Sequence, residues 1–255
     1  MTNLERAGPF IAPLVLIVIW ELACLSFDIP PFVLPSPLLV GEALYENLYV
    51  IWFHSIQTML TTMVGFSLAI LVGSALGIVV GSSRLAYTSL YPMLVGFNSI
   101  PKVAIVPVLV VWFGIGTVPA VLTAFMLSFF PIAVNVAAGL STVEPELRDV
   151  MRSLGASQLD IVRKIGIPRS MPYFFAALKV SITLAFVGSV ISETLASNRG
   201  IGALMTQAAA NFRIPLVFAG LAVVSFMGIA MYVIFAHIEK RITGWATHDV
   251  TYGAG

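Results

Sequence analysis

Apolar residues fall along this chain in six long runs, at about 9–27, 56–81, 90–113, 118–140, 174–191 and 216–236. A helix rises about 1.5 Å per residue, so roughly 20 apolar residues cross a hydrocarbon core. The pattern predicts an all-α, polytopic membrane protein with six transmembrane helices, forming one transmembrane domain over 1–255. The first run is interrupted by Glu21, and the second carries no charge. The third is the weakest: it holds Lys102 between Pro101 and Pro107. Prolines inside a membrane are tolerated where neighbouring helices satisfy the freed carbonyls. The fifth has Lys179 near its start and Glu193 just past its end.

Composition agrees with that pattern. The hydrophobic set makes up 59% of the chain and charged residues 10%, against roughly 25% charged in a soluble domain. Thirteen basic and twelve acidic side chains leave a net charge of +1. That balance excludes binding to nucleic acid by bulk charge and an acidic disordered chain. The single cysteine, Cys24, excludes an internal disulfide and a multi-cysteine metal site. The length of the first run and the missing small-x-small site before Asp28 argue against a signal peptide. Glu21 spoils a lipoprotein-type reading of Leu22-Ala23-Cys24.

Basic residues set the expected orientation. With the N-terminus inside, the inner segments hold Arg6, Arg84, Arg148, Arg152, Arg163, Lys164, Arg169, Lys240 and Arg241. The outer segments hold Arg199 and Arg213, and six spans return the C-terminus to the cytoplasm.

The connecting segments carry further signals. Pro30, Pro31, Pro35 and Pro37 make the outer segment 28–55 begin extended. A short helix can then start at Pro37, since proline suits the first helical position. That segment is either an external helix near the membrane surface or a plain connector. Gly73, Gly77 and Gly81 repeat at four-residue spacing in the second run. Such a stripe lets helix backbones approach closely, within one chain or across a dimer.

The inner loop 141–172 is the most informative segment. Pro145 fits a first helical position, and Leu147, Val150, Met151 and Leu154 then recur on one apolar face. Arg148 and Arg152 share another face. Gly155 is placed to end this helix in a left-handed cap. Ser157 and Asp160 make a capping box for a second helix, with Ile161 and Ile165 as its apolar stripe and Pro168 as its stop. Two short amphipathic helices with a glycine elbow are expected. They either pack on their own bundle or meet a partner protein.

This loop resembles the EAA loop of permease subunits of bacterial binding-protein-dependent ABC importers. That pattern runs Glu-Ala-Ala, three residues, glycine, nine residues, then Ile-x-Leu-Pro. Here Asp149-Val150-Met151 precedes Gly155 at that distance, and Ile165-Gly166-Ile167-Pro168 follows. Asp for Glu, Val-Met for Ala-Ala and Ile for Leu are departures that leave the spacing intact. Other stretches resemble the taurine, sulfonate, nitrate and bicarbonate branch: Leu34-Pro35-Ser36-Pro37, Val64-Gly65-Phe66, Ile100-Pro101-Lys102-Val103-Ala104, Trp112-Phe113-Gly114-Ile115-Gly116, Ser153-Leu154-Gly155-Ala156-Ser157, and Glu193 with Gly200-Ile201-Gly202. The similarity covers about residues 10 to 240. The same branch includes importers of aromatic acids and of vitamin-precursor pyrimidines, so the resemblance does not name the substrate.

The resemblance implies the type I importer permease (MetI-like) fold in a bacterial inner membrane. It implies a second permease copy, usually identical, two cytoplasmic ATP-binding subunits and a periplasmic solute-binding protein. ATP and Mg would sit on those ATPases, and this chain would bind no cofactor and catalyse nothing. Leu147, Val150, Met151 and Leu154 would be the apolar knob that seats in the ATPase, with Arg148, Asp149 and Arg152 as its rim and Gly155-Ala156 as its elbow. An apolar centre with a polar rim is ordinary interface anatomy. In agreement, none of Lys102, Lys164, Lys179 and Lys240 follows a glycine, as a phosphate-binding loop requires. His54, His237 and His248 are scattered, and we read them as interfacial.

Ionisable residues within a membrane default to functional candidates. Lys102 could draw an anionic solute, snorkel to the cytoplasm or pair with a carbonyl. Glu193 would repel an anion, which suggests a gate or a tie to the Asn198-Arg199-Gly200 turn. Asn98, Ser128 and Asn135 could line the path or make packing hydrogen bonds, and Glu21 is given no role. Two other classes compete. A stand-alone secondary transporter would show inverted repeats and midplane coupling charges. An intramembrane enzyme would need a nucleophile–base pair or metal ligands at one depth. Neither pattern is visible.

Overall fold

A computed structural model describes residues 3–243, and the side chains from 11 onward apart from Pro145 and Arg148. Eleven α-helices follow in chain order among the described residues: α1 (Asn3–Ser26), α2 (Pro37–Glu46), α3 (Leu48–Ser82), α4 (Arg84–Ser99), α5 (Lys102–Phe113), α6 (Thr117–Ser141), α7 (Pro145–Ser153), α8 (Gln158–Ile161), α9 (Ile167–Ala196), α10 (Ile201–Ala210) and α11 (Ile214–Thr243). A π-helical stretch, Val162–Gly166, joins α8 to α9. Four helical segments are long and apolar enough to cross a membrane: α3, α6, α8 through α10, and α11. The bent pair α4–α5 makes a fifth if it acts as one span, and the apolar part of α1, Ile11–Ser26, is shorter.

The third run is therefore not one helix. α4 and α5 meet at 84°. Ile100 (φ −70°, ψ 128°) and Pro101 (φ −64°, ψ 102°) are both extended at the corner. The Pro101 ring disfavours helical backbone at Ile100, and Pro101 has no N–H to donate. Pro92 and Pro107 sit inside α4 and α5 without ending them.

α3, α6 and α9 form the heart of the molecule, packing Phe66, Ala69, Ala124, Ile132, Ile182, Ala185 and Phe186 together with Met227 of α11. A Cβ on Gly65 would lie 2.6 Å from Ala124 Cβ, and one on Gly73 2.8 Å from the Phe129 carbonyl oxygen. On Gly77 it would lie 2.6 Å from Ala133 O, and on Gly81 2.9 Å from Ala137. The glycine stripe of α3 is thus spent within the chain, against α6. Hydrocarbon surrounds such helices as readily as they surround each other, so close van der Waals packing of small residues holds them together.

The outer segment carries the helix expected from Pro37. Ser36 caps α2, its Oγ accepting from the Leu39 N–H. Glu21 has a partner that its sequence context did not reveal: its Oε2 accepts the Leu38 N–H at 3.1 Å, which joins α1 to the positive end of α2.

The second loop helix does not stop at Pro168. It continues through the π stretch into α9, where Pro168 occupies the first turn. Ile167 N–H bonds to Val162 O, five residues back. The wider turn spares the bond that proline cannot donate. Glu193, expected just past the end of the fifth span, lies inside α9. α10, which the sequence reading did not foresee, begins at Ile201.

Candidate functional site

Loop 141–172 is built by local hydrogen bonds. Glu144 is the N-cap residue of α7 and Pro145 lies in its first turn. At the other end Ala156 N–H bonds to Met151 O at 3.0 Å, and Gly155 N–H to Arg152 O at 2.9 Å. This pair is a Schellman cap, and it needs the left-handed backbone that Gly155 adopts at φ +79°. Ser157 and Asp160 exchange backbone-to-side-chain bonds at 3.1 and 3.2 Å, so the predicted capping box is formed. Gln158 Nε2 donates to Ser82 O at the end of α3, Glu144 pairs with Arg169 at 3.5 Å, and Ile161 is buried.

The apolar face splits between the protein and its surroundings. Leu147 and Met151 are half-buried, whereas Val150 and Leu154 are exposed, Leu154 by 76%. Leu159, just beyond the elbow, is also 76% exposed. Asp149 and Arg152 lie beside this ridge and pair with each other at 3.7 Å. Ala156 is half-buried in the elbow. The side chain of Arg148 and all of His248 lie outside the described residues.

The pathway candidates do not form one cluster. Lys102 and Asn98 do meet, across the α4–α5 corner. The Lys102 ammonium donates to the Asn98 carbonyl and to Asn98 Oδ1, the latter at 2.8 Å. Asn98 is exposed and Lys102 half-buried. Ser128 is fully buried in α6 and donates to Ala124 O at 2.7 Å. Asn135 is half-buried, and its Nδ2 donates to Pro131 O at 2.8 Å. Both bonds are backward contacts within α6.

Glu193 is 1% exposed, between α9, α3 and α10. Its Oε2 accepts from Thr58 Oγ1 at 2.7 Å and from Gly202 N–H at 3.3 Å, and its Oε1 accepts from Thr61 Oγ1 at 3.2 Å. The tie is therefore to Gly202 and to two α3 threonines, rather than to Asn198 or Arg199. Thr62 Oγ1 donates to Ser189 Oγ at 3.1 Å beside it. Sequence reasoning passed over Thr58, Thr61 and Thr62. Their spacing, with three hydroxyls on one face of an uncharged span, is the signal that could have found them. The sequence reading also missed that Lys179 pairs with Glu239 of α11 at 2.6 Å. His54 Nδ1 lies 2.9 Å from Gly200 O, and His237 Nδ1 lies 2.8 Å from Val233 O. Among the described residues no group of His, Cys, Asp and Glu could hold a metal ion.

Comparison with known proteins places this geometry. Residues 69–244 match the family described as "Binding-protein-dependent transport system inner membrane component". The riboflavin transport system permease protein of Chloroflexus aurantiacus is 32% identical over 91% of this chain and 87% of its own. The formylaminopyrimidine transport permease protein of Halalkalibacterium halodurans is 28% identical over 94% and 96%. The taurine transport system permease protein of Escherichia coli is 27% identical over 90% and 86%. In fold, the chain is similar to a chain of the MetNI methionine ABC transporter in an inward-facing form. The TM-score is 0.59 at 20% identity, covering 78% of this chain and 97% of that one.

Proposed function

The chain belongs to the family of binding-protein-dependent transport system inner membrane components, the membrane permease subunits of ABC importers, and we propose that loop 141–172 is where partner ATPases grip it. The observation that carries this reading is the exposed ridge of Val150, Leu154 and Leu159 on a rigidly bonded elbow. An apolar ridge rimmed by Asp149 and Arg152 has the anatomy of an interface centre. In this reading the chain pairs with a second copy, and each copy takes one ATPase that carries ATP and Mg. A periplasmic binding protein delivers the solute, and both chain termini face the cytoplasm. Closure of the ATPases pushes α7, and the push passes through α8 and the π stretch into α9.

Leu154→Glu tests the grip. A charge at the centre of a desolvated contact should lower co-purification of the ATPase by about tenfold or more. Because Leu154 is exposed, the yield of the chain itself should hold. Undiminished recovery of the ATPase would remove the ridge from the interface.

For the cargo we propose a small solute carrying an anionic group, such as a sulfonate, taurine, nitrate, bicarbonate or an aromatic acid, attracted by Lys102. Similarity to permeases named for taurine and aliphatic sulfonates supports this. A specific observation favours a second reading, a vitamin-precursor pyrimidine: the Lys102 ammonium is already engaged by Asn98. The relative named for formylaminopyrimidine points the same way. Lys102→Met tests the anion reading. Under the anion reading, taurine uptake by the assembled importer should fall about tenfold, as loss of a charged contact predicts. Unchanged uptake removes Lys102 as an anion contact.

A further inference from the structure

We infer that Thr58 and Glu193 are positioning residues that fasten the start of α10 to α3 and α9, so that displacement of loop 141–172 at one end of α9 is delivered to α10 at the other. The delivery half of this inference rests on the reading of that loop as the ATPase grip; the fastening does not.

α9 is a 30-residue helix, about 45 Å long at 1.5 Å per residue. It leaves the π stretch without a break, so its inner end moves with the loop. Glu193 lies in its last turn. Beyond Ala196 the chain runs through Ser197 to Gly200 and turns into α10. This link is short, and Ser197 Oγ bonds only within it, to Arg199 N and Arg199 O.

The first turn of a helix has N–H groups with no partner inside the helix. Water cannot reach them here, because Ile201 and Gly202 are buried. The N-cap residue of α10 is Gly200, which has no side chain to serve them. Two other helices do so. Ile201 N–H donates to Thr58 Oγ1 of α3 at 2.9 Å, and Gly202 N–H donates to Glu193 Oε2 of α9 at 3.3 Å. Thr58 Oγ1 in turn donates to Glu193 Oε2 at 2.7 Å. One hydroxyl and one carboxylate therefore bond three helices at a single point. Gly200 makes room for it: its φ is +100°, and a Cβ there would fall 2.1 Å from the Glu193 carboxyl carbon. Thr58 is 0% and Glu193 1% exposed, so neither presents a surface to a passing solute. What remains for them is geometry.

Thr58→Val keeps the shape of the side chain and removes its donor and its acceptor. Two readouts test the inference. Hydrogen exchange on the purified chain should become about tenfold faster at the start of α10, as expected when a buried N–H loses its partner. The α3–α6 seam should stay protected. In the reconstituted importer, solute moved per ATP hydrolysed should fall about tenfold, with assembly and basal ATP hydrolysis unchanged. Thr58→Ser, which keeps the hydroxyl, should behave as wild type in both, and Glu193→Gln should retain more protection than Glu193→Ala.

Unaltered exchange in Thr58→Val would overturn the fastening. Fast exchange with an unaltered transport ratio would overturn the delivery, as would an equal loss in Thr58→Ser. If Leu154→Glu fails to loosen the ATPase, the loop reading falls by itself, and the exchange measurement still decides whether α10 is fastened.

Discussion

Gly77→Leu should leave almost no folded chain in the membrane. A Cβ at this position would lie 2.6 Å from Ala133 O and 2.7 Å from Val136 Cβ. The first obstacle is backbone, so no rotamer change in α6 can remove it. Gly65, Gly73 and Gly81 hold the same two helices together above and below, so α6 cannot yield locally. Moving α6 away also disturbs α9, because Gly188 approaches Ala124 Cα to 3.0 Å as judged by its own added Cβ. Overpacking a well-filled core by a few methylenes costs about 1–3 kcal/mol when side chains can adjust. Here they cannot, and the total stability of a domain is only about 5–15 kcal/mol. The expected result is loss of the monodisperse peak when the tagged chain is extracted in mild detergent. Gly41→Leu is the matched control: nothing lies within 4 Å of a Cβ there, and its peak should persist. A monodisperse Gly77→Leu protein at wild-type yield would mean that α3 and α6 are not in contact along this seam.

Gly155→Val should have the opposite profile, a folded chain that does not couple. Nothing lies within 4 Å of a Cβ at Gly155, so the substitution meets no steric obstacle from neighbours. The cost is conformational. A non-glycine residue held in the left-handed region costs about 1–3 kcal/mol, and a β-branched one is a clear outlier there. Relief of that strain would break the two cap bonds from Gly155 and Ala156 and re-aim α7 relative to α8. ATP-driven uptake should fall about tenfold or more, the rate equivalent of that strain. The amount of chain in the membrane should stay within about twofold, since the elbow is exposed and outside the packed core. Gly155→Asn should retain most uptake, because asparagine tolerates this conformation. Wild-type uptake by Gly155→Val would remove the elbow from the coupling path.

These two glycines differ in how visible they were beforehand. Gly155 stood between an amphipathic helix and a Ser157–Asp160 box, and a helix cap is a matter of five or six adjacent residues. The same holds for Pro37 at the start of α2 and for the apolar runs that became α3, α6, α9 and α11. Pro101 was a marked weakness in the third run, though the size of the bend was not readable. Gly77 was ambiguous, because a small-residue stripe says that a helix will be approached closely but not by which helix.

The sequence by itself determined what short-range chemistry determines: a chain too apolar for water, the long apolar helices α3, α6, α9 and α11, the Pro145 start, the Gly155 elbow and the capping box that follows. Backbone hydrogen bonding and side-chain volume act between residues a few positions apart, so these features are written locally. Only the tertiary structure decided that the α3 glycines face α6, that Pro168 is absorbed by a π turn, and that Glu193 meets Thr58 across 135 positions of sequence. A buried carboxylate must find donors wherever the packed helices bring them, and α10 must find caps in the same place. Which faces meet depends on the shapes of all the helices together, so those contacts exist only once the bundle has closed.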